Sequence, residues 1–292
     1  MTAMRIGRLF LPLSAVVAVL SVHGGMSVLA QSLKYNPPRD YYLALGDSIA
    51  FGYQAAKHRA GLPPSGFNTG YVDVLLARLQ PIRPSLTVVN YGCPGETTTT
   101  FIAGGCLSHV AGFPLHDAFS SAQLDAAVSF LRAHPGQVSP ITLTLWSNDV
   151  REFVESCPDL DCIANGAPAA IASIVNNLEI ILGRLRAAAP DAEVIITGSW
   201  DSNLEVLEFA DPLFQSLNES MASMAARQRV RFADPFPVFN PQGDLATEIQ
   251  AHCTLTLLCT EQDSHPSDAG YRALADLVFE ASGYQRLLEG SN

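Results

Sequence analysis

Apolar positions along the chain fall into two alternating patterns. Short, mostly apolar runs at residues 42–45, 87–91, 141–146, 194–197 and 230–233 have the length and composition of buried strands. Between them, Val72, Leu75, Leu76 and Leu79 recur at helical spacing. So do Leu124, Val128 and Leu131, and then Ile171, Ile174, Val175, Leu178, Ile181, Leu182 and Leu185. A last helix is predicted after Pro266, with Tyr271, Leu274, Ala275 and Val278 on one face. This alternation predicts an α/β fold: a mostly parallel five-stranded sheet with right-handed crossovers and helices on both faces. Three connections are long for such units, at residues 55–67, 97–121 and 151–168. Connections of that length commonly serve as lids or binding loops. In this topology they rise from strand ends, where ligands bind.

The first thirty residues read differently. Arg5 and Arg8 precede a nearly continuous apolar stretch at residues 9–22, and Val28 and Ala30 occupy the −3 and −1 positions of a cleavage site before Gln31. This is the pattern of a signal peptide over residues 1–30; an uncleaved anchor is the alternative. No later stretch reads as long and apolar enough to span a bilayer. Residues 31–292 suit one sizeable domain better than two small ones. The 292-residue chain carries a net charge of −11, and both basic residues of the leader are lost on cleavage. Such acidity argues against nucleic acid and anionic lipid as electrostatic partners.

All six cysteines lie after the leader: Cys93, Cys106, Cys157, Cys162, Cys253 and Cys259. An even count on an exported chain predicts disulfides, and near neighbours suggest 93–106, 157–162 and 253–259. Zinc is the rival reading. No C-x-x-C is present and only His252 abuts a cysteine, so no metal is expected.

Four polar clusters stand at predicted strand ends or in the loops above them. Gly46, Asp47 and Ser48 follow the first strand, and Asn90 and Gly95 the second. Asn148 and Asp149 follow the third, and Asp263 and His265 precede the last helix. A serine hydroxyl needs a base to take its proton, and His265 is the natural one. A carbonyl attacked by Ser48 becomes an oxyanion. The backbone N–H groups of Ser48 and Gly95 and the Asn148 amide would supply three donors. No G-x-S-x-G elbow is present.

In this order, from Leu43 to Tyr271, the clusters resemble the SGNH (GDSL) hydrolase family of serine esterases and lipases. The resemblance implies a three-layer, flavodoxin-like fold without metal or cofactor. It implies Ser48 as nucleophile, His265 as base, and Ser48, Gly95 and Asn148 as the oxyanion hole. Two positions depart from the pattern. The family's acid usually stands three residues before the histidine, where this chain has Gln262; Asp263 is the nearest acid, and a backbone carbonyl is the alternative orienter. The third block usually begins with Gly, where this chain has Trp146. That indole either narrows the substrate cleft or packs into the core.

The expected protein is a secreted, periplasmic or extracellular serine esterase. Its substrate is an ester of a small molecule, a lipid or an acylated glycan, so lipase or phospholipase action fits the reading. A carbohydrate O-acetyl esterase is the nearest rival. A non-catalytic extracellular binding module on the same fold is the alternative from another class. Phe101, Phe113, Leu115, Phe119, Phe153 and Phe209 either pack the loops down or line an acyl pocket.

Overall fold

The computed structural model describes residues 36–201 and 207–289; the expected leader and its cleavage site lie outside them. Five strands form a parallel sheet: β1 (Tyr41–Gly46), β2 (Thr87–Asn90), β3 (Val138–Thr144), β4 (Val194–Thr197) and β5 (Arg231–Ala233), in the order β2-β1-β3-β4-β5. Every residue of β3 and β4 is buried; β4 reads as a nearly continuous apolar run, whereas β3 alternates Ile141 and Leu143 with the buried threonines Thr142 and Thr144. The strand order reverses beside β1. The crevice above the C-terminal ends of β1 and β3 is therefore the switch point where such sheets bind ligands.

Helix Tyr71–Leu79 packs against Asp268–Ser282 in one layer. Helices Gln123–Ala133, Leu160–Ala188 and Leu207–Gln228 pack in series in the other. The first layer is keyed to the sheet by polar contacts as well as apolar ones. Thr142 and Thr144, two apart on β3, share a face, and both hydroxyls hydrogen-bond the Tyr71 hydroxyl, at 3.2 and 3.0 Å. Leu75 and Leu79 of that helix are buried, each contributing about 1.5–3 kcal/mol by leaving water.

The connections are more ordered than their sequence suggests. Residues 55–67 hold helix Ala55–Arg59 and a 3-10 turn at Pro64–Phe67, and residues 97–121 hold Thr98–Ala103 and Leu107–Val110. The stretch 151–168, expected as a loop, is mostly helix. Ser147–Ser156 ends at Cys157, and Leu160–Ala188 begins after Asp159, whose side chain caps it by accepting from the Cys162 N–H. Pro168 reads as a helix breaker but sits inside this 29-residue helix, whose buried face runs from Ala167 to Leu185. Counting the residues before Ile171 also makes Leu160–Ala188 long and apolar enough to cross a membrane by length and composition alone. That corrects the expectation that no later stretch qualifies. Here the helix packs against four others, with Ile174, Leu178, Ile181, Leu182 and Leu185 in the core.

The third strand runs from Val138 to Thr144, so Trp146 lies two residues beyond it, at the start of a helix. A short antiparallel ribbon, β6 (Thr256–Leu257) with β7 (Asp263–Pro266), precedes the last helix and was not legible as strand. The cysteines pair as 93–106, 157–162 and 253–259, as their spacing suggests.

Candidate active site

β1 ends at Gly46, where φ is +131° and a Cβ would stand 1.9 Å from the Thr144 carbonyl oxygen of β3. Only glycine fits there. Asp47 then turns the chain. Its N–H donates to Thr144 O (3.1 Å), and its carboxylate accepts from the Ile49 N–H (2.9 Å) and the Ser147 hydroxyl (2.7 Å). These bonds lock the first turn of helix Ser48–Phe51 to the segment following β3 and leave Ser48 at the rim, 6% exposed.

His265 reaches Ser48 from β7, and its Nε2 lies 2.9 Å from Ser48 Oγ. Its Nδ1 lies 2.5 Å from Asp263 Oδ1. An ionised carboxylate only accepts, so Nδ1 carries the hydrogen and Nε2 is free to accept from Ser48. Burial pushes the Asp263 carboxyl up. The hydrogen bond and charge of His265 and the Ala55 N–H at 2.7 Å outweigh it and hold the group at about 2. Residues two apart on a strand share a face, which is how an acid at −2 from His265 reaches its ring. Gln262, at −3, adopts φ +55° and closes the preceding helical turn instead. Tyr53 packs its ring on His265, with centroids 4.8 Å apart.

Gly95 lies in the turn after β2 with φ +87°, bracketed by the Cys93–Cys106 disulfide. The carbonyl of its neighbour Glu96 accepts from Asn148 Nδ2 at 2.9 Å, so this turn and Asn148 stand side by side. An amide nitrogen has two N–H groups, and one remains for a ligand. Arg151 donates to Asn148 Oδ1 at 3.4 Å and fixes the amide's orientation. Asp149 accepts from the Thr98 N–H and hydroxyl, so Asp47 and Asp149 both orient loops.

Two residues central to this frame were missed by sequence reasoning. Gln123 Oε1 accepts from the Gly46 N–H (2.7 Å), while its Nε2 donates to Gly46 O (3.0 Å) and to Glu96 Oε2 (2.9 Å). Glu96 also accepts from the Thr100 hydroxyl at 2.6 Å. One side chain thus ties the strand end before Ser48 to the turn holding Gly95. No local motif marks either residue, because the bonds join segments far apart in sequence.

Burial raises the Glu96 carboxyl to about 7, partly offset by its bonds from Thr100 and Gln123, and raises Asp47 to about 6. The sign follows directly. A carboxyl with a raised folded pKa binds its proton more tightly in the fold, so its cost is absent below the free value and grows as pH rises to the folded one. For Glu96 that window runs from 4.5 to about 7. Melting temperature is therefore expected to fall between pH 5 and pH 8, and Glu96→Gln to flatten part of that fall. Parallel melting curves for the two proteins would exclude Glu96 as a source.

A cavity of about 520 Å³ opens at Ser48 and His265. Trp146 forms part of its wall and is itself 4% exposed, edge-on to Trp200 with ring centroids 5.1 Å apart. The two expectations for Trp146 thus coincide: one part of the residue packs into the core and another bounds the cavity. Of the loop aromatics, Phe153 lines the cavity. Phe101 is buried in the core, and Phe113 packs against Phe51 and Phe119 against Tyr91. The side chain of Phe209 lies outside the described residues.

Residues 44–273 match the GDSL-like Lipase/Acylhydrolase family. The chain belongs to that family. It is a carboxylic ester hydrolase. Solved structures share the fold of this GDSL-like hydrolase at low identity. The lipase Lip_vut3 from a goat rumen metagenome is 17% identical with a TM-score of 0.57, the match covering 85% of this chain and 99% of that one. Axe2, an acetylxylan esterase from Geobacillus stearothermophilus, is 16% identical with a TM-score of 0.55, over 86% and 97% of the two chains. LAE5, an alpha/beta hydrolase from the metagenome of Lake Arreo, Spain, is 18% identical with a TM-score of 0.53, over 85% and 96%. No curated protein matches the GDSL-like hydrolase in sequence.

Proposed function

We propose that this GDSL-like hydrolase cleaves carboxylic esters through an acyl-enzyme on Ser48. The observation that carries the reading is the hydrogen-bond chain Ser48 Oγ–His265 Nε2 and His265 Nδ1–Asp263 Oδ1 at 2.9 and 2.5 Å. Ser48 Oγ forms a bond to the ester carbonyl carbon as its proton passes to His265 Nε2. The oxyanion is met by the Ser48 and Gly95 N–H groups and the spare Asn148 N–H. The carbon–oxygen bond to the alcohol then breaks, and His265 returns the proton to the departing oxygen. Water repeats the sequence and releases the acid. Asp263 keeps the imidazole in the tautomer that accepts from Ser48.

The working protein on this reading is residues 31–292, a single domain exported behind its leader. Three disulfides support an oxidising destination, secreted or periplasmic. Neighbours of this fold include a lipase and an acetylxylan esterase, so both acyl lipids and acetylated glycans are candidate substrates. A binding module without chemistry has no use for this hydrogen-bond chain.

A fluorophosphonate probe tests the proposal. It is expected to modify the protein once, on the peptide containing Ser48, and to leave Ser48→Ala unmodified. No adduct, or an adduct on another residue, would overturn it.

A further inference from the structure

The cavity beside Ser48 is much larger than an acetyl group needs. From its mouth at Ser48 and His265 it runs past Trp146 between two helices. Ile163, Ala167 and Ile171 line it from helix Leu160–Ala188, spaced three to four residues apart and so on one helical face. Leu213, Phe214 and Leu217 line it from helix Leu207–Gln228. These six side chains offer water no hydrogen bond, and a space of that character favours an apolar occupant.

We propose that this space is an acyl-chain tunnel selective for straight chains of about eight to twelve carbons, with Ala167 setting its bore; the inference rests on the acyl-enzyme reading above. The volume sets the length. Taking ~30 Å³, one water's share of the liquid, for each methylene, such a chain fills about half to two-thirds of the 520 Å³. The remainder at the open end holds the ester group. The mechanism sets which half of the substrate enters. The leaving oxygen must stay within reach of His265 Nε2 at the mouth, so the acyl chain is the part that points inward. Ala167 is the smallest of the four wall residues on its helix, between Ile163 and Ile171, and is 4% exposed. Its missing atoms are the bore.

A series of p-nitrophenyl esters from acetate to palmitate reads the tunnel. Each methylene moved from water into an apolar site is worth about 0.8 kcal/mol, or about fourfold in kcat/KM. The enzyme is expected to prefer octanoate to acetate by at least about a hundredfold, to peak between octanoate and dodecanoate, and to fall by palmitate. Ala167→Phe is expected to lower the ratio of decanoate to acetate kcat/KM at least thirtyfold and move the optimum below hexanoate. Ala167→Leu is expected to lower the ratio less, and decides the matter if the phenylalanine variant does not fold. A flat or acetate-preferring profile overturns the tunnel, as does an unchanged ratio in a folded variant. So does a chain-length dependence that follows the alcohol of alkyl acetates instead of the acyl group. Titration of the wild-type enzyme with a short-chain fluorophosphonate separates the two proposals. Labelling of Ser48 with a flat ester profile defeats the tunnel alone, whereas absence of labelling defeats the mechanism on which it rests.

Discussion

Ser48→Ala is expected to lower kcat at least ~1,000-fold while leaving the melting temperature within a few degrees of wild type. The two halves of that expectation have separate sources. Ser48 Oγ meets His265 Nε2 at 2.9 Å, and removing it deletes the atom that forms the covalent bond in the proposed mechanism. What remains are oxyanion donors, a positioned imidazole and the cavity, which together still accelerate attack by water. Stability rests elsewhere. The turn is held by the backbone and side chain of Asp47 and by Gln123 on Gly46, none of which involves the Ser48 hydroxyl. Steady-state kinetics on one p-nitrophenyl ester with a thermal melt checks both. Retention of a tenth of wild-type kcat removes Ser48 from the mechanism.

Asp263→Asn is expected to cost ~100- to 10,000-fold in kcat, the range set by loss of such an orienter in other triads. The asparagine has no comfortable orientation. Asp263 Oδ1 accepts from His265 Nδ1 and from the His265 N–H, and Oδ2 accepts from the Ala55 N–H, so the native carboxylate meets three donors. An amide has one accepting atom. If its NH2 faces His265, the imidazole adopts the opposite tautomer and Nε2 no longer accepts from Ser48. If its NH2 faces Ala55, two donors collide and the segment carrying the base shifts. A loss under fivefold would assign orientation to a backbone carbonyl and reduce the unit to a dyad. A stability effect accompanies the chemical one. The folded pKa of Asp263, about 2, lies below its free value of 3.8. Its contribution is therefore present above about pH 4 and lost as pH falls through 2. The variant is expected to lack that acid limb in its melting temperatures.

The sheet was legible because β1 and β4 are buried on both faces and write themselves as apolar runs, and β3 because its Ile141, Thr142, Leu143 and Thr144 are β-branched or apolar throughout. Ser48 and Asn148 were legible because their polar clusters follow such runs, and His265 because its cluster precedes the last predicted helix in the same fixed order. Asp263 was legible as one of two candidate orienters; the choice depends on β7 being extended, and four residues ending at Pro266 carry little strand signal. Gln123 and Glu96 left no trace. Their partners are set by tertiary approach, and a glutamine at the start of an amphipathic helix looks like any solvated one. The cavity was illegible for a related reason. Ile163, Ala167 and Leu213 are ordinary apolar helix residues until two helices are placed face to face, and Pro168 hid the first turns of one of them.

The Ser48–His265 hydrogen bond joins residues 217 positions apart. Loops of that size close late, because their entropy must be lost before any contact compensates it. It also fixes an order in time. The segments that form β1 to β5 leave the ribosome before His265 does, so the serine is made well before its base. Catalysis on this mechanism begins only when the final ribbon and helix dock against the segment at residues 53–55, where Tyr53, Gln54 and Ala55 receive them. On this mechanism the ribbon and helix Asp268–Ser282 turn an inert serine into a nucleophile, and ester cleavage therefore reports that they have docked.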